Sequence, residues 1–282
     1  MGHQRIVMGS VVGGCQNAAM LELRSSALSH VGLVRSHNED SGFVGPRLVV
    51  VADGMGGAAA GEVASAVAVH SADRECRLIG RGVEPRELLA RAVAHAAVQI
   101  LAAVEADPGR AGMGTTFTAL LTDGTRVALA HIGDSRAYRF RAGVLEQVST
   151  DHTLVQSMVD ARRMSPAQAR RSEHRHIVTR SLGGAGPSDP DLLDLEVLTG
   201  DRLLLCSDGL SDLVSDDALA LMLAIPDGAT VADLLIGAAL EAGGTDNVTA
   251  VVVDVVDVVA DDLLPHDGIF LGAACLPQPF VG

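Results

Sequence analysis

The chain has 282 residues, of which 48% are apolar and 20% charged, and its formal net charge is −14. These values are typical of a globular protein, and the length suits one large domain or two small ones. Every basic residue is arginine. The lack of lysine excludes Schiff-base enzymes, P-loop nucleoside triphosphatases and protein kinases, which need one in their active sites. The acidic balance argues against nucleic acid and anionic membranes as partners.

The N-terminal residues 1–20 are expected to form a flexible extension. A short apolar run over residues 6–15 weakly imitates a lipoprotein signal, but glycine and serine interrupt it. Met20 precedes the first strand-like segment, and a translation start there remains a hypothesis. No apolar run approaches the ~20 residues of a membrane helix, so the sequence predicts a cytoplasmic protein without a membrane span.

Short apolar runs that end in glycine or aspartate predict buried strands. They cover residues 48–52, 117–121, 127–132, 203–206 and 248–253, with further strands at 135–140, 144–148 and 192–198. Helices are predicted over 62–77, 85–106, 216–224 and 231–242. Because the strands cluster without regular alternation with helices, an α+β layered fold is favoured over a parallel doubly wound one.

Two segments differ in character from this core. Residues 151–178 are rich in arginine and histidine and contain Ser165-Pro166, a helix-start signal, so we expect a helical excursion or mobile flap. Residues 257–282 are acidic and then rich in glycine and proline, and are expected to be a tail. The main folded domain would then span residues 21–256.

Cysteine and histidine outside the motifs have ordinary explanations. The four cysteines lie far apart in the sequence, which argues against a disulfide framework or a zinc site. Cys206 ends an apolar run and is expected to be a buried thiol. His95 lies on the polar face of the helix 85–106 and is expected to be solvated.

Acidic residues stand at the ends of four predicted strands. These residues are Asp53, Asp134, Asp208 and Asp246. An Asp-Gly pair alone is most often a turn, but four such carboxylates can converge on one edge of a sheet sandwich. A cluster of this kind is repulsive unless cations neutralise it, and oxygen ligands suit Mg²⁺ or Mn²⁺ rather than zinc. Gly54 has no Cβ, so its carbonyl can approach a metal closely.

Residues 35–40 place Arg35 shortly before Glu39 and Asp40. Such a group is usually a surface ion cluster. Beside a metal site, however, an arginine fork also suits a phosphate.

A dinucleotide site is the main alternative from the residues themselves. Residues 54–59 match its glycine pattern, and Asp73 follows about twenty residues later. In a dinucleotide site the strand leads directly into the glycines, but here Asp53 stands between them. NAD binding would also give no role to the other three carboxylates. This alternative is therefore disfavoured.

Six segments together resemble the metal-dependent protein serine/threonine phosphatases of type 2C, the PPM family, in its bacterial, actinobacterial-like branch. They are residues 35–40, 51–57, 114–116, 131–136, 205–210 and 244–248, in the family's order. The resemblance implies a four-layer α-β-β-α sandwich with two central, mostly antiparallel sheets. It also implies hydrolysis of phosphoserine and phosphothreonine by a hydroxide that bridges two metal ions.

The same resemblance implies a role for each acid. Asp53 would bridge two ions, Mn²⁺ or Mg²⁺, and the Gly54 carbonyl would bind one of them. Asp208 and Asp246 would hold the other. Asp134, together with Asp208, would hold a third and looser ion.

Further residues would act around the metals. Glu39 and Asp40 would contact metal-bound waters, and Arg35 would grip the substrate phosphate. His176 falls near a position whose backbone approaches the third metal in some relatives. Residues 151–178 would be the flap that shapes substrate choice.

The resemblance leaves several points open. Met55 stands where animal relatives carry a histidine proposed to protonate the leaving group. That proton would come from metal-bound water or another residue, with His37 and His152 as hypotheses. Substrates would be phosphorylated proteins, either targets of a serine/threonine kinase or a kinase itself, and the chain is expected to be a monomer. The alternative is a non-catalytic phosphatase-like regulator that binds phosphoproteins, although all four metal aspartates are present.

Overall fold

The strands of this chain, seen in a computed structural model, form two antiparallel sheets. The structure describes residues 19–56, 60–78, 83–184, 188–259 and 268–275. The strands are β1 (Ala19–His30), β2 (Asp40–Val44), β3 (Leu48–Met55), β4 (Gly114–Thr115), β5 (Phe117–Thr122), β6 (Val127–Ile132), β7 (Arg136–Arg141), β8 (Val144–Gln147), β9 (Asp191–Leu195), β10 (Arg202–Cys206), β11 (Val248–Val259) and β12 (Ile269–Gly272). The helices are α1 (Gly61–Leu78), α2 (Pro85–Ala106), α3 (Leu154–Asp160), α4 (Pro166–Ala169), α5 (Asp208–Ser211), α6 (Asp216–Leu223) and α7 (Gly228–Glu241).

The two sheets stack face to face, and helices cover both outer faces. One sheet has the order β1-β11-β10-β7-β8, and the other has the order β12-β2-β3-β5-β6-β9, with β4 paired to the end of β3. Apolar residues of both sheets, such as Val51 and Leu205, meet in a central core. Separate cores lie under α1 and α2 on one side and under α6 and α7 on the other. The predicted four-layer α-β-β-α sandwich is confirmed.

Helix α2 is, by length and composition, the one helix among the described residues that is apolar enough to cross a membrane. In this fold Leu89 and Ile100 on its apolar face are buried in the core shared with α1 and the seven-stranded sheet. Pro85 begins the helix, as the sequence predicts. His95, expected to be solvated, is instead half-buried, with its Nδ1 3.1 Å from Glu75 Oε1 on α1. The expectation fails because α1 packs along that side of α2.

The segment 151–178 leaves the sandwich and carries the short helices α3 and α4. Ser165 caps α4 in a capping box, as the Ser-Pro signal predicts. The two ends of the segment meet, because the Leu154 N–H donates to the Ile177 carbonyl at 2.9 Å. We call residues 151–178 the flap from here on.

The expected tail differs from the observed structure in two places. Strand β11 continues through residues 257–259, and β12 pairs with β2 at the edge of the seven-stranded sheet. The ring of Phe270 explains the second difference, because it packs against Phe43 at 5.0 Å and against His70 at 4.3 Å between ring centroids. Residues 1–18, 260–267 and 276–282 lie outside the described residues.

Candidate metal centre

One pocket at an end of the sandwich collects most of the acidic residues singled out in the sequence. Its volume is about 760 Å³. The lining includes seven of the predicted site residues, namely Arg35, Glu39, Asp53, Gly54, Asp134, Asp208 and Asp246. Strand ends of both sheets therefore meet here, although these residues are up to 211 positions apart in the sequence.

Strands β2 and β3 supply the centre of the pocket. Asp40 and Asp53 are direct partners across the antiparallel pair. The Asp53 N–H donates to Thr116 Oγ1 at 2.8 Å, and Thr116 Oγ1 lies 2.7 Å from Ser135 Oγ. A Cβ on Gly54 would lie 2.2 Å from the Gly61 carbonyl oxygen, so only glycine fits there. The nearby Gly61 backbone thus excludes any side chain at residue 54, next to the carboxylates.

Asp40 lies behind the pocket lining and is fully buried. Its Oδ2 accepts hydrogen bonds from Ser207 Oγ and Thr249 Oγ1, both at 2.7 Å. Its Oδ1 has no partner among the described residues. Burial raises the pKa of Asp40 to about 7, and the charges of Asp208 and Asp246 add to the rise. A buried carboxylate oxygen without a partner is what a cation or its bound water would satisfy.

The other carboxyl groups of the pocket also have raised pKa values. Burial, followed by the charges of neighbouring carboxylates, raises the pKa of Asp53 and of Asp134 well above the ordinary value. Burial also raises the pKa of Glu39. The donor set consists of oxygens at high negative charge density, which fits Mg²⁺ or Mn²⁺.

Arg35 reaches the pocket from the loop between β1 and β2. Its guanidinium donates to Asp246 Oδ2 at 2.8 Å, and about half of its side chain is exposed. The other oxygen of Asp246 accepts from the Asn247 N–H at 2.8 Å. Arg35 is thus held at the pocket while part of its fork still faces solvent.

Asn247 organises this side of the pocket and was missed in the sequence. Its Oδ1 accepts from the Glu39 N–H at 2.7 Å, and its Nδ2 donates to the carbonyls of Val31 and His37, both at 2.9 Å. One amide therefore joins the loop that carries Arg35 and Glu39 to the start of β11. The only sequence signal was its place directly after Asp246.

The flap contributes His176 to the pocket rim. Its Nδ1 lies 3.2 Å from Asp212 Oδ2 and 3.9 Å from Asp208 Oδ2. The nearby carboxylates of Asp208 and Asp212 raise the pKa of His176. The three side chains offer ligand atoms within 4.8 Å of one another. Asp212 was not singled out in the sequence, although its spacing of four from Asp208 was a readable signal.

Two histidines considered as proton donors lie away from the pocket lining. His37 is exposed. His152 is buried, and both of its ring nitrogens are occupied, Nδ1 by the Gly133 N–H and Nε2 by Asp191 Oδ2, each at 3.0 Å. His152 thus has no free ring nitrogen in this structure, and the role of His37 stays a prediction.

The described residues of the glycine pattern do not form the strand-to-helix turn of a dinucleotide site. Strand β3 runs through Gly54 and Met55 and pairs there with β4, so these residues do not open a helix. Asp73 lies within α1, where it pairs with Arg77. Residues 57–59 of the pattern lie outside the described part of the chain.

Comparison with known proteins points the same way. The sequence matches the family model described as protein phosphatase 2C over residues 35–233. The serine/threonine protein phosphatase PstP of Mycobacterium tuberculosis is 48% identical over 241 residues, which cover 84% of this chain and 46% of PstP. The chain thus spans about half the length of that relative. The serine/threonine phosphatase stp of Listeria monocytogenes is 34% identical over 232 residues, covering 79% of this chain and 92% of the relative.

Solved structures extend the likeness to three dimensions. The catalytic domain of PstP, in complex with 2 manganese ions, is similar with a TM-score of 0.78 and 47% identity, covering 84% of this chain and 100% of that one. The chain therefore belongs to the protein phosphatase 2C family.

Proposed function

We propose that this chain is a metal-dependent protein serine/threonine phosphatase that hydrolyses phosphoserine and phosphothreonine residues. The observation that carries the proposal is the convergence of Asp53, Asp134, Asp208 and Asp246 with Arg35 in one pocket. Negative charge at this density is stable only with bound cations, and an arginine beside them suits a phosphate dianion. Named phosphatases among the relatives support the same chemistry.

Four side chains and one carbonyl would hold the metals. Asp53 and the Gly54 carbonyl would bind one ion, Asp53 with Asp208 and Asp246 a second, and Asp134 with Asp208 a third. Bound divalent cations supply charge neutralisation for the phosphate and a lowered pKa for water. Glu39 and Asp40 would orient that water, and the unpartnered Oδ1 of Asp40 supports this role.

Arg35 would bind and orient the phosphate. Because Asp246 fixes one side of the guanidinium, the remaining N–H groups can donate to two phosphate oxygens at once. This contact would align the phosphorus with the attacking water and the leaving serine or threonine oxygen.

The chain offers no cysteine nucleophile at the pocket among its described residues. Cys206 is two positions from Asp208 but fully buried, and burial raises the pKa of its thiol to about 12. It therefore stays protonated and inaccessible near neutral pH. Direct attack by water, without a phosphorylated cysteine, is the route that fits.

The setting of the enzyme is part of the proposal. Substrates would be phosphorylated proteins, such as targets of a serine/threonine kinase or the kinase itself, and not nucleic acids. We place the enzyme in the cytoplasm as a monomer. The three described cysteines, which are all free thiols, support the cytoplasm, and the net charge of −14 argues against nucleic acids.

The test is hydrolysis of p-nitrophenyl phosphate and of a phosphothreonine peptide with Mn²⁺, with Mg²⁺ and with EDTA. Asp208→Asn is compared with Asp233→Asn, a control at an exposed site on α7 outside the pocket lining. We expect metal-dependent turnover that Asp208→Asn abolishes and the control keeps. Folded protein that binds Mn²⁺ but turns over neither substrate would instead favour a non-catalytic regulator that binds phosphoproteins.

A further inference from the structure

His152 is a buried histidine that the proposed reaction does not use. It is 5% exposed and lies where the flap leaves the sandwich. Two hydrogen bonds join it to one residue: the Gly133 N–H donates to His152 Nδ1 at 3.0 Å, and the His152 N–H donates to the Gly133 carbonyl at 2.7 Å. Gly133 directly precedes Asp134, so these two hydrogen bonds hold the turn that carries a carboxylate of the pocket.

The turn is closely packed and requires glycine at residue 133. Gly133 has a φ of +108°, and a Cβ there would lie 2.5 Å from Thr116 Cγ2. On the far side of Asp134, Ser135 Oγ lies 2.7 Å from Thr116 Oγ1. Asp134 is therefore fixed from both neighbours, by His152 on one side and by Thr116 on the other.

The tautomer of His152 follows from its partners. Nδ1 receives a backbone N–H and must carry the lone pair, while Nε2 carries the hydrogen and donates it to Asp191 Oδ2 at 3.0 Å. Arg180 donates to the other oxygen of Asp191 at 2.9 Å. It also contacts Nε2, but a guanidinium N–H can only donate, so this contact is not a hydrogen bond when Nε2 carries the hydrogen. Burial lowers the pKa of His152, which favours the neutral ring that this arrangement needs.

His152 also ties the flap to the same turn. Its carbonyl accepts from the Thr179 N–H at 2.7 Å and from Thr179 Oγ1 at 3.0 Å. Thr179 closely follows His176, which reaches the pocket rim. His152 thus contacts the Asp134 turn through its ring and its N–H, and through its carbonyl it contacts Thr179, which directly follows the flap.

We propose that His152 is a positioning residue that holds the Gly133-Asp134 turn through Nδ1 and so sets the Asp134 carboxylate for the loosest of the bound cations. The inference rests on the proposed function, since it presumes a cation at Asp134. Removal of a residue that orients a metal ligand through hydrogen bonds typically lowers metal affinity by about 10- to 100-fold.

Two isosteric variants separate this role from simple core packing. In His152→Asn the amide oxygen can replace Nδ1 as the acceptor for Gly133, whereas in His152→Gln the amide nitrogen can replace Nε2 toward Asp191 and the Gly133 bond is lost. Each purified variant is titrated with Mn²⁺ alone in a calorimeter, without substrate. We expect His152→Gln to weaken the loosest binding step by about 10- to 100-fold and His152→Asn to stay close to wild type.

Equal losses in both variants, or none in His152→Gln, would overturn the positioning role while leaving the proposed function intact. If the variants do not fold, ¹⁵N NMR of the wild-type imidazole decides the matter. An Nε2–H tautomer with scalar coupling between Nδ1 and the Gly133 amide supports the proposal, and a proton on Nδ1 refutes it. A wild-type chain that binds no Mn²⁺ would refute the proposed function together with this inference.

Discussion

Asp40, which is fully buried, and Asp53, which is half-buried at the pocket, face each other as direct partners on β2 and β3. Like charges in opposite positions of a strand pair destabilise a sheet. The pair nevertheless lies at the pocket end of β2 and β3, directly after the apolar run of β3. The metal-free protein therefore carries a conflict that bound cations relieve.

The first prediction concerns the pH dependence of stability without metal. The folded-state pKa of Asp40 is raised from 3.8 to about 7, so the folded protein holds a proton that the unfolded chain has already lost. This favours folding fully at low pH and is lost as the pH rises through about 7. In EDTA we expect the free energy of unfolding to fall progressively between about pH 4 and pH 7, by an amount on the order of a few kcal/mol. Urea melts across this range measure it.

Asp40→Asn is the matched variant for that experiment. It removes the titrating group but keeps the shape, so its stability in EDTA should fall less steeply over the same range. Saturating Mn²⁺ should flatten the wild-type profile. An identical slope for wild type and variant would show that Asp40 is not the source.

The second prediction concerns Arg35 in turnover. Arg35→Ala should lower kcat/KM for a phosphothreonine peptide by about 100-fold, because a charge-assisted fork to the phosphate is lost. Arg35→Lys should recover only part of this, since an ammonium group cannot bind two oxygens in the same plane. Arg91→Ala, which breaks an exposed ion pair with Glu87 on α2, should leave steady-state kinetics unchanged.

The third prediction concerns Thr116, whose hydroxyl accepts from the Asp53 N–H and contacts Ser135. Thr116→Val keeps the volume but removes the hydroxyl, and should weaken Mn²⁺ binding by about 10-fold. Thr116→Ser keeps the hydroxyl and should bind Mn²⁺ like wild type. Calorimetric titration compares the two, and equal affinities would remove Thr116 from the support of the site.

The fourth prediction concerns stability away from the pocket. Arg202 is buried, pairs with Asp254 at 2.7 Å, and donates to the carbonyls of Leu223, Ile225 and Pro226 after α6. Arg202→Ala should destabilise the protein by about 3 kcal/mol, because it leaves these acceptors unpaired. Arg86→Ala, at an exposed pair with Asp194, should cost less than about 1 kcal/mol in the same denaturant melts.

Sequence patterns predicted the elements whose own residues specify them. Strands β3, β5, β6, β10 and β11 are apolar runs long enough to be buried on both faces, so each was readable in isolation. Strand β2 was missed because it is only partly apolar, and β12 was missed because it is only four residues long. They become strands because each supplies the neighbour that the other needs.

The residues of the candidate site also differ in whether the local sequence predicts them. Asp53 and Asp208 end apolar strands before a glycine, which is a local signal, and the family resemblance supplied the remaining acids. Thr116, Asn247 and Thr249 carry no such signal, because a polar residue at a strand end has many uses. Their role depends on which strands meet, and that is decided by the fold of the whole chain.

Strand β12 affects the tendency of the protein to self-associate. It caps the β2 edge with only four residues and ends at Gly272, whose φ is +60°, while loop carbonyls of Pro46 and Gly124 accept N–H groups along β1. Short or covered edges give other molecules little to pair with. A chain shortened before β12 would bare both the β2 edge and the ring of Phe43. Such a chain is expected to self-associate through its sheet, which size-exclusion chromatography would show as species larger than the intact protein.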